Sequence, residues 1–336
     1  MNKANIKAIS YYLPKQVLDN DELNSIFPEW SADKISAKTG IFERRISARN
    51  EFTGDMAVKA AEMLFLEHKI DRSTIDFILL CTQSPDYLLP TTACIVQHKL
   101  GLPTSVGALD FNLGCSGYIY GLSLAKGLIA ANIAQNILLI TSETYSKIIN
   151  SQDKNNRTLF GDAAAATIIS SADGLCEIGD FILGTDGAGA DHLIVNNGGS
   201  RNPELNGEDV VEEGTFIRNN NNLYMNGSEI FNFTAKTVPL LVEAILKKSD
   251  RVLDDMNLFI FHQANKYMLN FIRKKMNIPE EKFYFFLDKC ANTVSSTIPI
   301  ALYEAIQTKK ILPKDQVLLA GFGVGYSWGS TILKFN

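Results

Sequence analysis

Apolar and polar positions alternate along the chain in blocks that predict strands and helices. The first half has continuous apolar runs of strand length at 75–81, 106–111 and 135–142, and apolar residues at helical spacing over 54–70. Strands that are apolar throughout are typical of a parallel sheet covered on both faces. The pattern therefore predicts an α/β architecture.

The second half repeats this order after a middle region whose Gly, Asp and Asn content indicates strands joined by long surface loops. We predict helices over 229–247, 265–276 and 296–307, and strands over 256–263, 316–323 and 327–335. The two halves share no visible residue-level similarity, but their common order of elements predicts a pseudo-duplicated layer structure.

Composition narrows the class of protein. Hydrophobic residues make up 46% and charged residues 21% of the 336 positions, which is ordinary for a globular protein. No stretch reaches the roughly 18 apolar residues of a membrane span, and the N-terminus lacks a secretory apolar region, so we expect a cytoplasmic protein. With a net charge of −5 and no basic runs interleaved with aromatic residues, nucleic acid is not an expected partner.

Five cysteines are scattered without a CxxC pair or paired histidine spacing, which argues against a disulfide framework and against a metal site. Cys115 stands apart because it follows a strand and a turn and precedes a long segment of small and apolar residues, as in a nucleophile elbow. At a helix start the helix dipole lowers the pKa of a thiol, so we expect a reactive thiolate. A lone cysteine is otherwise most often a small buried apolar residue.

Two further polar residues and a glycine-rich segment lie far downstream. His262 ends a buried strand, at the sheet edge where α/β proteins bind ligands, although a structural histidine fits this place about as well. Asn292 lies in a turn before a helix, where an asparagine alone most often stabilises its own backbone. The segment GFGVGYSWGS has glycines at 321, 323, 325 and 329, which allow the backbone to pass close to a bound group.

Taken together, LGCSGY, HQAN, ANTVSSTIPIAL and GFGVGYSWG resemble the β-ketoacyl-acyl-carrier-protein synthase III family of the thiolase superfamily. The resemblance covers nearly the whole chain, since KTGIFERRIS, LLPTTACIVQHKLG, RTLFGDAAAATII and MNGSEIF also fit. It implies a thiolase-like α/β fold of two halves, 1–170 and 171–336, in five layers (α-β-α-β-α), and a homodimer. It also implies that no cofactor is bound permanently, and that acyl-coenzyme A and the phosphopantetheine arm of acyl carrier protein serve as substrates.

The same resemblance implies a catalytic triad of Cys115, His262 and Asn292. The cysteine would carry an acyl primer as a thioester, while the other two residues would hold the carbonyl of a malonyl-type thioester that loses CO₂ and attacks the primer. A nearby loop would supply backbone N–H groups for the oxyanion and a gating phenylalanine. Its members are Phe322, Gly323, Val324 and Gly325.

Three departures from the family bear on the acyl substrate. Members of the family that use acetyl-coenzyme A have a tryptophan that stacks on adenine, and this chain has Lys34 at that position. Trp30 does not align with that tryptophan. Lys154 stands at or near the position of the arginine that faces the adenine. We therefore do not expect the adenine ring of the nucleotide to be stacked between two planar side chains. Leu89 replaces a phenylalanine with which the partner subunit blocks the acyl tunnel, which predicts a primer longer than acetyl and a broad length preference. Phe231 is expected in the tunnel wall.

The segment after His262 is expected to face the carrier protein. In HQANKYM, Asn265 is followed by Lys266 and Tyr267, which stand where the family usually has an apolar residue and then an arginine. A basic patch for an acidic acyl carrier protein is one interpretation, and ordinary solvated helix charges are the other. The candidate patch consists of Lys38, Arg44, Lys266, Arg273, Lys274 and Lys275.

Other functions compete with condensation. Some thiolase-fold relatives transfer the acyl group from cysteine to an alcohol or amine without decarboxylation, but they tend to lose the histidine and asparagine pair that this chain keeps. A non-catalytic binding partner would be expected to lack Cys115. Within condensation, Lys34 and Leu89 favour a specialised acyl product over the initiation of ordinary fatty acid synthesis.

Overall fold

Strands and helices alternate through residues 3–336, which the computed structural model describes. The strands are β1 Asn5–Tyr12, β2 Gln16–Asp19, β3 Glu43–Ile46, β4 Phe77–Cys81, β5 Gly107–Phe111, β6 Asn136–Glu143, β7 Ala163–Ser170, β8 Cys176–Thr185, β9 Leu193–Val195, β10 Val210–Glu212, β11 Thr215–Arg218, β12 Leu223–Met225, β13 Leu258–Phe261, β14 Gln316–Gly323 and β15 Ser327–Phe335. The helices are α1 Asn20–Ile26, α2 Ala32–Thr39, α3 Thr53–His68, α4 Thr92–Lys99, α5 Gly117–Ala130, α6 Lys154–Arg157, α7 Gly227–Lys248, α8 Lys266–Lys275 and α9 Thr297–Gln307.

The main sheet consists of two similar runs of strands. Its order is β13-β14-β15-β8-β1-β7-β6-β4-β5, and the runs join where β1 and β8 pair over only two residues. In the first run β4 and β6 are parallel, and β6, β7 and β1 follow antiparallel. In the second run β13 and β14 are parallel, and β14, β15 and β8 follow antiparallel. This repeated pairing confirms the predicted duplicated α/β fold.

The duplication also relates two loops that carry site residues. In the first run β5 pairs with β4 in parallel and leads through a loop to α5. In the second run Phe283 makes a parallel bridge to Phe259 of β13, and the chain then leads to α9. Cys115 and Asn292 therefore lie at equivalent places, each shortly before a central helix. The division predicted at residue 170 falls between β7 and β8 and stays a prediction.

Helices α5 and α9 are packed together with the main sheet in one apolar cluster. Ile119 and Leu122 from α5 and Ile298 and Leu302 from α9 are all fully buried there. Burial of each such side chain stabilises the fold by about 1.5–3 kcal/mol, which fixes the two helix starts relative to the sheet. Of the helices described, none is long and apolar enough to cross a membrane.

Candidate active site

One cavity of ≈ 130 Å³ brings together the three residues that the sequence proposed as a triad. Cys115, His262 and Asn292 line it, together with Phe322 and Gly323. They come from the loop before α5, the end of β13, the loop before α9 and the end of β14. The fold therefore brings Cys115 to residues that lie more than a hundred positions further along the chain.

Cys115 lies directly against the end of β14, and only 6% of its surface is exposed. A Cβ atom built on Gly323 would lie 2.8 Å from the cysteine Sγ, and one built on Gly321 would lie 2.8 Å from its carbonyl oxygen. Such distances are too short for any side chain, so these two glycines permit the close approach of strand and nucleophile.

The expected lowering of the thiol pKa is wrong for this structure. Burial, and secondly the nearby Glu143, raise the pKa of Cys115 to about 12, although the backbone N–H groups of Val324 and of Cys115 itself oppose the rise. Helix α5 begins only at Gly117, so the cysteine lies outside the first turn, where the dipole is strongest. The thiol is therefore protonated at neutral pH and needs a base when it reacts.

A buried carboxyl group lies near the nucleophile. Glu143, at the end of β6, is fully buried and accepts hydrogen bonds from the Gln83 backbone N–H and from the hydroxyls of Ser84 and Ser295. Burial raises the pKa of Glu143 to about 8, so it is mostly uncharged at neutral pH. Sequence reasoning missed this residue, although a charged residue closing the apolar run QNILLITSE was a usable signal.

His262 is held in a neutral form by its surroundings. Its side chain is 2% exposed, and burial lowers the pKa of His262 to about 3. Its Nδ1 lies 2.8 Å from the Thr297 hydroxyl, which itself donates to the Val294 carbonyl oxygen at 3.1 Å. Since that hydroxyl has one proton, Nδ1 carries the imidazole proton and the lone pair of Nε2 is free to act as a base.

Replacement of Thr297 by valine is expected to slow condensation by about tenfold, because Nδ1 of the buried histidine then loses its side-chain hydrogen-bond partner. The conservative variant Thr297→Ser keeps the hydroxyl and is expected to retain the wild-type kcat. Steady-state rates with a fixed primer and malonyl donor check this. Equal kcat values for the valine, serine and wild-type proteins would show that the hydroxyl does not position the histidine.

A flat pH profile is expected for decarboxylation by enzyme that is already acylated, from about pH 5.5 to 7.5, because His262 does not gain a proton in this range. Release of CO₂ from a malonyl thioester measures it. An inflection near pH 6.5 would contradict the burial argument.

The same lowered pKa of His262 contributes to the stability of the folded protein above pH 6.5, and this contribution is lost as the pH falls towards 3.

Asn292 uses its carbonyl oxygen for local structure and leaves its amide group for a ligand. Its Oδ1 accepts from the Val294 backbone N–H at 2.9 Å, and its own N–H donates to the Leu159 carbonyl at 2.9 Å. Ala291 and Val294 have φ values of 63° and 55°, a left-handed conformation that is costly for a β-branched residue. Both the turn role and a catalytic role are therefore open to this side chain.

A wider outer pocket of ≈ 580 Å³ leads to this cavity, since both are lined by Leu159, Met225, Gly227, Asn265 and Met268. Trp30 lines the outer pocket, although it does not align with the family's adenine-stacking tryptophan, and the expectation that the adenine ring is not stacked between two planar side chains stays a prediction. Phe231 also lines the outer pocket, where it contacts Phe271 at 4.8 Å between ring centroids, and it does not line the inner cavity.

Three lysines surround the Trp30 ring. The Nζ atoms of Lys38, Lys34 and Lys154 lie 4.7, 5.8 and 5.8 Å from its centroid. Lys154 is also paired with Glu29 at 3.0 Å. Positions 34 and 154, where the sequence departs from the family, are therefore both beside the aromatic ring of Trp30, which lines the outer pocket.

The remaining expected binding residues have other surroundings. Asn265 caps α8 by accepting from the Met268 N–H at 2.8 Å, and Lys266 is exposed beside Gly40. Leu89 is 82% exposed and lies outside both cavities of this chain. No cluster of three or more metal-binding side chains occurs within residues 3–336.

The candidate basic patch is smaller than the sequence suggested. Arg44 is fully buried and donates to the Thr158 carbonyl and to Asn20, so it cannot face a partner. Arg273 is 9% exposed and is paired with Glu280. The members of the candidate patch that are exposed are Lys38, Lys266, Lys274 and Lys275.

Comparison with known proteins agrees with these observations. A model described as 3-oxoacyl-[acyl-carrier-protein] synthase III matches residues 109–187, and one described as its C-terminal region matches residues 246–335. The β-ketoacyl-[acyl-carrier-protein] synthase III of Fusobacterium nucleatum subsp. nucleatum is 36% identical over 335 residues, which cover 100% of this chain and 99% of that protein.

Solved structures show the same relationship. A crystal structure of a 3-oxoacyl-(acyl-carrier-protein) synthase III is 46% identical, with a TM-score of 0.96, and the match covers 99% of this chain and 100% of that one. The β-ketoacyl-[acyl-carrier-protein] synthase III of Thermus thermophilus is 33% identical, with a TM-score of 0.88 and coverage of 99% of both chains. This chain therefore belongs to the β-ketoacyl-[acyl-carrier-protein] synthase III family.

Proposed function

We propose that this protein catalyses a decarboxylative Claisen condensation between an acyl primer on Cys115 and a malonyl thioester, giving a β-ketoacyl thioester. The observation that carries the proposal is the single cavity lined by Cys115, His262 and Asn292. A nucleophile, a neutral imidazole and a side-chain amide are the groups that this reaction needs. The chain keeps all three, so acyl transfer to an alcohol or amine is not favoured.

In the first step Cys115 takes the acyl group from a thioester. The free Nε2 of His262 receives the thiol proton, the sulfur attacks the acyl carbonyl, and the proton passes to the departing thiol. The backbone N–H groups of Val324 and Cys115 that lie against the sulfur support the negative charge that develops there. Acylation then leaves a neutral thioester in the cavity.

In the second step a malonyl thioester enters. Proton exchange with solvent, which adds a proton at Nε2 and removes the one at Nδ1, gives the other neutral tautomer of His262. The Thr297 hydroxyl then donates to Nδ1, and Nε2–H donates to the malonyl thioester carbonyl beside the Asn292 amide. These two donors stabilise the enolate that forms when CO₂ leaves. The enolate carbon attacks the acyl-cysteine carbonyl and the Cys115 thiolate departs. The thiolate takes the Nε2 proton of His262, and Nδ1 of His262 regains a proton from solvent.

The proposed substrates are coenzyme A thioesters and acyl carrier protein, with no permanently bound cofactor. The outer pocket with Trp30 and its lysines supports a phosphate-bearing carrier arm at the entrance. A homodimer is part of the proposal, because the apolar loop residues Tyr87, Leu88 and Leu89 are 61, 90 and 82% exposed in the single chain. We also propose a primer longer than acetyl, a division of the chain at residue 170 and a cytoplasmic location.

Intact-protein mass spectrometry tests the reaction. The protein is incubated with a panel of acyl-coenzyme A and acyl-carrier-protein thioesters, and then with malonyl carrier protein. We expect an acyl adduct that malonyl carrier protein discharges as a β-ketoacyl product with release of CO₂. Discharge by an alcohol or amine without CO₂ would instead support acyl transfer, and a preference for acetyl over longer primers would overturn the argument from Leu89.

A further inference from the structure

The buried carboxyl group of Glu143 lies between the loop before α5 and the loop before α9, which carry the nucleophile and the proposed amide donor. Strands β4 and β6 are parallel, and Cys81 lies opposite Thr141 in their register. Gln83 and Glu143 each follow this pair by two residues, so the ends of the two strands bring them side by side. The two carboxyl oxygens of Glu143 accept the Gln83 backbone N–H at 3.1 and 3.2 Å.

The loop before α5 is held through the side chain of Gln83. Its Nε2 donates to Asn112 Oδ1 at 3.0 Å, and its Oε1 accepts from the Tyr145 hydroxyl at 2.5 Å. A Cβ atom built on Gly114 would lie 2.6 Å from the same Oε1, so this side chain passes directly beside the residue that precedes the nucleophile. The backbone of Gln83 is therefore bonded to Glu143, and its side chain is bonded to the loop of the nucleophile.

The loop before α9 is held directly. Ser295 is 1% exposed, and its hydroxyl donates to Glu143 Oε1 at 3.0 Å. This serine lies inside the segment 292–297, which carries the Asn292 amide at one end and, at the other, the Thr297 hydroxyl that bonds the site histidine. A shift of Ser295 would therefore move both the proposed amide donor and the partner of the imidazole.

A fully buried carboxyl group is unfavourable unless hydrogen-bond donors surround it, and Glu143 has such donors. Removal of the carboxyl would leave the Gln83 N–H and the buried Ser295 hydroxyl without this acceptor, and the two loops would no longer be joined through it. Burial raises the pKa of Glu143 to about 8, so the group that joins the loops at neutral pH is mostly uncharged.

We propose that Glu143 is a positioning residue that holds the loop of Cys115 and the loop of Asn292 in one geometry. The branch through Gln83 sets the place of the nucleophile for acylation. The branch through Ser295 sets the donors for decarboxylation. A misplacement of about 1 Å can slow a reaction by about 10²-fold, so bonds of this kind affect rates without touching the substrate. This inference rests on the proposed function, because it assigns each branch to one of the two proposed steps.

The test measures adduct formation and CO₂ release separately, together with thermal unfolding of each variant. Ser295→Ala removes the second branch alone, so we expect CO₂ release by the acylated enzyme to slow by about tenfold and adduct formation to stay within about twofold of wild type. Ser84→Ala is the matched control. The Ser84 hydroxyl donates to the same carboxyl group at 3.2 Å but lies on neither loop, so both steps are expected to keep wild-type rates.

Two changes at Glu143 test both branches at once. Glu143→Leu has no acceptor for either branch and is expected to slow both steps by at least about tenfold. Glu143→Gln keeps an oxygen for the Gln83 N–H and has an amide that can donate to the Ser295 hydroxyl, again without charge. This conservative variant is expected to regain most of both rates, which a loss of packing alone would not explain.

The outcomes separate this inference from the proposed function. Wild-type CO₂ release by Ser295→Ala overturns the inference, and so does an equal loss in Ser84→Ala, because the effect would then not depend on the loop of Asn292. Wild-type rates in a folded Glu143→Leu overturn it as well. The two serine variants each remove one hydroxyl, so they decide the question even if Glu143→Leu does not fold. If wild type forms no adduct or releases no CO₂, the proposed function fails first and the inference fails with it.

Discussion

Replacement of Cys115 by alanine is expected to abolish the acyl adduct and to reduce condensation by more than about 10³-fold, because among residues 3–336 no other thiol lines the cavity with His262 and Asn292. Adduct formation followed by intact-protein mass spectrometry, and ketoacyl product formation, are the two measurements. Thermal unfolding of the variant checks that the loss of a buried sulfur has not unfolded the protein.

The chain provides a matched control for this variant. Cys94 is also a free cysteine, but it is exposed and lies on α4, outside the cavity. The variant Cys94→Ala is expected to form the adduct and the product at wild-type rates. An adduct that persists in Cys115→Ala and disappears in Cys94→Ala would mean that the wrong cysteine has been assigned.

Replacement of Asn292 by alanine is expected to leave acylation of Cys115 in place and to slow condensation by about 10²–10³-fold, since one donor to the enolate is removed. The variant also loses the bond from the Val294 N–H that closes the turn. Adduct formation and CO₂ release are therefore measured separately on the same protein. A parallel loss of both activities would point to a collapsed turn.

The variant Asn292→Asp distinguishes the role of Asn292 in the turn from its role as a donor to the enolate. Aspartate keeps an oxygen that accepts from the Val294 N–H, but it has no amide to donate and adds a negative charge beside the developing enolate. If the amide holds the malonyl carbonyl, this variant is at least as slow in condensation as the alanine variant. Wild-type condensation by Asn292→Asp would show that the residue serves only the turn.

The behaviour of the nucleophile changes how catalysis must be understood. Burial raises the pKa of the Cys115 thiol to about 12, so attack on the acyl thioester does not rely on a preformed thiolate. The attack relies on a base that accepts the thiol proton at that moment. His262 is kept neutral by burial, and its free Nε2 can accept this proton. The low polarity that holds the thiol protonated also strengthens the donor contacts to the enolate in the second step.

The sequence by itself determined the order of strands and helices, the duplicated α/β fold and the candidates Cys115, His262 and Asn292. These follow from local signals, because hydrophobic periodicity depends on neighbouring residues and each candidate lies at the end of a strand or the start of a helix. The repeated antiparallel pairing of β6 with β7 and of β14 with β15 agrees with the prediction of a duplicated fold.

Only the tertiary structure decided the environment of each group. The raised pKa of Cys115, the bond from Ser295 to the buried Glu143 and the position of Trp30 at the entrance all arise from segments that are distant in sequence. Burial and electrostatic interactions depend on what surrounds a side chain in three dimensions, and a pattern of residue types along the chain does not specify these neighbours.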